Sequence, residues 1–155
     1  MKEPIVIPLI KENLLAFVKN SVGSNTFRNF YAEVNGEKKD ITQDGFRSCA
    51  VFISSILLQF GLIKEGHTTV EGVIRDIEKN GWHKIDKPKA GCVLIWEPEK
   101  FDESIQLWIQ HAGFYIGDDQ AISNSEKIRT PQIHHWTYND TKKITAMYWH
   151  DRLND

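Results

Sequence analysis

The sequence predicts an α+β domain, with N-terminal helices packed on one side of an antiparallel sheet. Three observations lead there. Apolar residues recur with helical spacing in several segments before Gly81, and with strand-like alternation after it. Helices first and strands afterwards is the order of an α+β fold rather than of alternating βαβ units. The chain has 155 residues, 41% hydrophobic and 26% charged, enough to bury one core and ordinary for a globular protein. Residues 1–155 therefore read as a single domain, with no repeat or linker inside it.

The first helix is expected over Lys11 to Ser21, with Leu14, Leu15, Phe17 and Val18 as its apolar stripe and Gly23 as its stop. The stretch Ser24 to Gly45 is polar and turn-rich, with Asn35-Gly36 and Asp44-Gly45 as tight turns. Phe27, Phe30 and Tyr31 inside it require that part of it packs, and Tyr31 is placed near the following helix start. That second helix runs from Ser48 to Phe60 and is apolar almost all round, the pattern of a central, buried helix. Ser48 is its expected side-chain N-cap and Gly61 its stop. A third, amphipathic helix starts near Thr68 or Thr69, shows Val70, Val73, Ile74 and Ile77 on one face, and ends at Asn80-Gly81. Strands are expected at Trp82–Ile85, Cys92–Trp96, Leu107–Ile116, Gln120–Ser123 and Ile144–Trp149, with Pro88, Pro98 and Pro131 as breaks.

Composition narrows the function. A net charge of −2 and the lack of any basic block argue against nucleic acid or an anionic membrane as partner. No segment approaches the ~20 apolar residues of a membrane helix. The apolar run Ile5-Val6-Ile7-Pro8-Leu9-Ile10 is too short and too broken for a signal peptide, which leads to the expectation of a cytoplasmic protein or one released by lysis or non-classical export. Two cysteines do not make a disulfide framework, so Cys49 and Cys92 read as thiols, with Cys92 as buried packing. His134-His135-Trp136 suggests no metal site, because adjacent strand residues face opposite ways and no ligand spacing completes a zinc set. No cofactor is expected. Trp96, Trp108, Trp136 and Trp149 read as core or as the wall of a cleft.

What stands out is a thiol at a helix start followed by a histidine on a strand. A helix N-terminus favours the thiolate, the reactive form of cysteine, and the mechanism requires a depressed Cys49 pKa. His111 opens the strand phrase His111-Ala112-Gly113-Phe114-Tyr115-Ile116-Gly117, sharing a face with Gly113 and Tyr115. It is the candidate base. A third polar group should orient the imidazole. If Asp118-Asp119 is a two-residue turn, Gly117 faces Gln120, Gly113 faces Asn124, and Asn124 lies on the His111 side. A one-residue change in loop length selects Ser123 instead. Cys49, His111 and Asn124 are the expected catalytic set, with the Cys49 N–H as an oxyanion donor.

These phrases resemble the NlpC-type papain-like cysteine peptidases, with the CHAP amidohydrolases as cousins. Cys49-Ala50-Val51-Phe52 is similar to that family's cysteine helix, with an aromatic three residues on. Lys87-Pro88-Lys89-Ala90-Gly91-Cys92-Val93-Leu94-Ile95-Trp96 is similar to the element leading into its first strand, and His111 to Gly117 to its histidine strand. The resemblance spans Asp44 to Ser125. It departs at Ser48, where the family usually has an acidic residue; at Ala50-Val51, for Ser-Gly; at Cys92, for an acid; and at Ser123 or Asn124, for a histidine. The resemblance implies a papain-like NlpC-type fold and cysteine-dependent hydrolysis of an amide, most often in peptidoglycan stem peptides. The same fold would also serve a binding module without catalysis or a thiol acyltransferase. The oligomeric state is not legible.

Overall fold

The computed structural model describes residues 1–102 and 107–154. Along the chain lie α1 (Ile10–Asn20), β1 (Tyr31–Val34), β2 (Glu37–Asp40), α2 (Cys49–Gln59), α3 (Val70–Lys79), β3 (Trp82–Lys84), β4 (Val93–Asp102), β5 (Leu107–Gly117), β6 (Gln120–Asn124), β7 (Pro131–His135) and β8 (Ile144–His150), then a 3-10 turn at Asp151–Leu153. The strands β3 to β8 form an antiparallel sheet in the order β3-β8-β4-β5-β6-β7. The expected α+β class, with helices leading an antiparallel sheet, is what the chain adopts.

Helix α2 is the centre of the molecule. Ala50, Val51, Phe52, Ile53, Ser54, Ile56 and Leu57 are all buried, while Ser55, Leu58 and Gln59 leave one narrow side of the helix exposed. The Phe52 ring meets Phe114 of β5 edge-on, centroids 5.7 Å apart, and Phe27 from the preceding loop at 5.2 Å. Such pairs add to the burial of the rings themselves. They lock the helix onto the strand that carries His111. The one polar residue within the helix's buried set, Ser54, exchanges hydrogen bonds with the backbone N–H and C=O of His67, which satisfies it. Helix α3 begins at Thr69, whose hydroxyl accepts from the Gly72 N–H as an N-cap.

Several local expectations are corrected. Ser48 gives α2 its first backbone acceptor, to the Phe52 N–H at 2.8 Å. Its hydroxyl makes no capping bond and is buried without a partner. The Asn35-Gly36 turn joins two short strands, β1 and β2, that the polar composition hid. Tyr31 lies on that hairpin, exposed, with the Lys38 ammonium over its ring. Pro98 does not end β4, which continues past it through a register shift between Trp96 and Glu99, and Pro131 opens β7. Proline is tolerated at bulges and at strand starts, where no ladder N–H is lost.

Candidate active site

Two elements distant in sequence place Cys49 and His111 on one cavity. Cys49 is the first residue of α2, and β5, against which the helix packs, carries His111. Both open into one cavity of about 80 Å³, with Arg47, Trp108, Asn124 and Glu126 among its walls. A second hollow of about 270 Å³ lies next to it and shares His111, Asn124 and Glu126. Trp108 is exposed beside the first cavity, whereas Trp96 and Trp149 are core.

Cys49 is half-buried as a residue, and the burial of its thiol sets its chemistry. Burial pushes the Cys49 thiol up to about 11. The backbone N–H of Ala50 opposes this, the Glu126 carboxylate adds to it, and the N–H groups of Ala112 and Cys49 itself pull the other way. The expected depression of the thiol pKa is therefore corrected. The amides at the helix start do face the sulfur, but they do not outweigh removal of the thiolate from water. Burial likewise drives His111 down to about 3, assisted by the positive Lys142 and by His134. At neutral pH the pair consists of a thiol and a neutral imidazole. Cys92, fully enclosed just before β4, is also raised to about 11 by burial.

The imidazole is held on two sides. Its ring stacks on Trp96, centroids 5.1 Å apart and planes 29° from parallel. Its Nε2 lies 2.9 Å from Ser123 Oγ. The expected Asn124 contact is corrected here. Gly117 does pair with Gln120 across the Asp118-Asp119 turn, but the register shifts between Tyr115 and Gly117, so that Tyr115 pairs with Ala121 and Phe114 with Ile122. One extra residue on β5 exchanges the two faces of β6. Ser123 turns to His111. Asn124 turns its amide to the Gly45 carbonyl, Nδ2 donating at 2.8 Å, and leaves Oδ1 buried without a hydrogen bond.

That Gly45 contact ties the loop before Cys49 to the sheet. Gly45 has φ +85°, and a Cβ there would stand 2.5 Å from the Arg129 carbonyl oxygen. Within the same loop Asp40 accepts from the N–H groups of Phe30, Thr42 and Asp44 and from the Asn29 amide. Burial works against the Asp40 charge, but the Thr42 hydroxyl and these donors outweigh it and hold the carboxyl well below the usual range.

This helix–cavity–sheet arrangement can be set beside solved structures. NlpC2 from Trichomonas vaginalis superposes with a TM-score of 0.54 over 95% of this chain, at 13% sequence identity. The fold is NlpC-like. The chain spans about half the length of that protein, 49% of it. No family model matches the sequence, and no curated protein matches it. At this identity the likeness concerns the path of the chain.

Within the NlpC-like frame, residues beyond the expected set surround the imidazole. Ser123 Oγ also lies 2.7 Å from His134 Nε2 and 3.1 Å from Tyr138 Oη. Tyr138 stacks on His134 at 4.0 Å, and Lys142 sits over the Tyr138 ring. Adjacent histidines on β7 do diverge: His134 reaches the site, while the Nδ1 of His135 accepts from the backbone N–H groups of Thr137 and Asn139. Spacing could not reveal this cluster, because the β6–β7 register makes it, pairing Ser123 with Gln132 and Ala121 with His134.

Proposed function

We propose that the protein is a cysteine-dependent amide hydrolase acting on a peptide, with peptidoglycan stem peptides as the substrate class. The observation that carries the reading is the opening of Cys49 and His111 into one cavity while Ser123 occupies His111 Nε2, which leaves Nδ1 as the nitrogen available to the thiol. The NlpC-like fold supports the reaction class.

The neutral state of both groups favours one order of events. No thiolate–imidazolium pair is stored. The S–H proton passes to His111 Nδ1 as the sulfur bonds to the carbonyl carbon. The developing oxyanion is met by the N–H groups at the start of α2, with the Cys49 N–H as one donor. His111 then gives the proton to the departing amine as the C–N bond breaks, leaving a thioester. Water, deprotonated by the same imidazole, hydrolyses it to the acid and restores the thiol. Ser123 orients the base, in the position first assigned to Asn124.

The test is incubation with purified muropeptides, followed by mass spectrometry, for the native protein, Cys49→Ala and His111→Ala. The native protein should cleave an amide bond, and each variant should lose at least about 100-fold in rate while melting cooperatively. Muropeptides left intact by the native protein, together with failure of an activity-based thiol probe to modify Cys49, would sink the proposal.

A second reading, a binding module without catalysis, draws on that same neutrality, since a thiol near 11 beside an imidazole near 3 is poorly primed. It expects Cys49→Ser to bind the peptide as tightly as the native protein, with no turnover by either. An added amine distinguishes the acyltransferase variant of the first reading by appearing in the product.

A further inference from the structure

We propose that His134 is a positioning residue that sets the tautomer of His111 through Ser123. The proposal rests on the hydrolase reading for its catalytic consequence, and its physical content can be tested without any substrate.

A count of protons around Ser123 leads to it. A serine hydroxyl has one proton to donate and two lone pairs. Three groups surround Ser123 Oγ: His111 Nε2 at 2.9 Å, His134 Nε2 at 2.7 Å and Tyr138 Oη at 3.1 Å. The other nitrogen of His134, Nδ1, lies 2.8 Å from the His135 carbonyl oxygen. A carbonyl only accepts, so Nδ1 carries a proton. Burial keeps His134 neutral, with Lys142 opposing its charge, so its Nε2 is bare and can only accept.

The direction of every bond then follows. The one Ser123 proton goes to His134. Ser123 must accept from both remaining neighbours, so Tyr138 donates its hydroxyl and His111 donates from Nε2–H. With its proton on Nε2, His111 presents a bare Nδ1, the form a general base needs. The His135 carbonyl thus fixes, through three hydrogen bonds in series, which nitrogen of His111 is free. Ser123 by itself would not do this, since a hydroxyl rotates to donate or to accept. The geometry comes from β6–β7 pairing: Ser123 sits opposite Gln132, and His134 is its diagonal neighbour two residues on, within reach of a long side chain.

Long-range nitrogen–proton correlation NMR on protein carrying labelled histidine reads tautomers directly at neutral pH. In the native protein His134 should appear as Nδ1–H and His111 as Nε2–H; either tautomer reversed overturns the proposal. In His134→Phe the Ser123 hydroxyl is released, and the His111 tautomer ratio should move about fivefold toward Nδ1–H, the equivalent of one ordinary hydrogen bond. An unchanged ratio also overturns it. His134→Gln, which offers an amide oxygen to the Ser123 hydroxyl, should retain Nε2–H, and it carries the test with the native spectrum should the phenylalanine variant fail to fold. Loss of Nε2–H in a folded His134→Gln counts against the relay. On an amide substrate His134→Phe should lower kcat about 100-fold with KM little changed. Tautomers that respond as stated in a protein without turnover would uphold the relay and reject the hydrolase reading.

Discussion

The Asn124 side chain donates to the Gly45 carbonyl oxygen at 2.8 Å, across 79 residues of sequence. This single bond joins the sheet strand beside His111 to the loop that ends in Cys49. Cys49 and His111 belong to different elements, and their relative position depends on such ties.

Asn124→Ala should therefore act on the loop rather than on the imidazole. It leaves a buried carbonyl unsatisfied, at a cost of about 1–3 kcal/mol, and lets the start of α2 drift. The expected result is a lower Tm and a slower reaction, with the His111 tautomer in the NMR spectrum as in the native protein. A changed tautomer with an unchanged Tm would mean that the amide serves the ring after all.

Gly113 is a point of close approach among the strands around His111. A Cβ there would stand 2.7 Å from the Ile122 carbonyl oxygen, 2.8 Å from Ser123 Cβ and 2.9 Å from Trp96 Cη2. Backbone cannot yield cheaply, so Gly113→Ala should cost about 1–3 kcal/mol by overpacking. It should also separate Trp96 and Ser123, the two groups that hold His111. Chemical denaturation measures the first effect. A native-like midpoint would show that the strands tolerate the methyl group.

The displaced pKa values predict pH dependences of definite sign. With Cys49 near 11, alkylation by iodoacetamide should be slow at neutral pH and should rise steeply toward pH 11, while the fully buried Cys92 stays unmodified in the folded protein. His111 titrates near 3 when folded, against 6.5 for an unperturbed histidine. The unfolded chain therefore takes up a proton that the native protein refuses, so this contribution to stability is whole above pH 6.5 and fades as pH falls toward 3. His111→Phe should flatten that part of the Tm–pH curve. Cys49 works in the other direction. Its contribution is whole below its ordinary value of 9.0 and fades as pH rises through 11.

Much of this molecule is legible in one dimension. The apolar run after Cys49 announces a helix apolar nearly all round and largely buried, and Ala50 to Leu57 are buried apart from Ser55, whereas Leu58 is exposed. The alternation from His111 to Gly117 places the strand, and Asp118-Asp119 forms its turn with both residues at positive φ. Local preference and burial patterns decide such features, and both are properties of neighbouring residues. The β1–β2 hairpin escaped because Glu37-Lys38-Lys39-Asp40 carries no apolar signal.

The identity of the residue beside His111 is a different kind of fact. Ser123 and Asn124 are adjacent, equally polar and equally buried, and a one-residue slip between Tyr115 and Gly117 chooses between them. That slip is a property of the β5–β6 pairing, which brings together two segments whose register local preference does not set. The thiol pKa is similar: the helix start argued for a low value, and enclosure by the assembled elements reversed it.

The sequence by itself determined the class of fold, its three helices and five of its strands, and the two residues, Cys49 and His111, that come to line one cavity. Only the tertiary structure decided which neighbours hold that pair, that both members are neutral at rest, and that His134 stands within reach of Ser123. The reason is physical. Helix and strand periods are set by the covalent chain, whereas register, enclosure and hydrogen-bond direction exist only once distant segments share the same space.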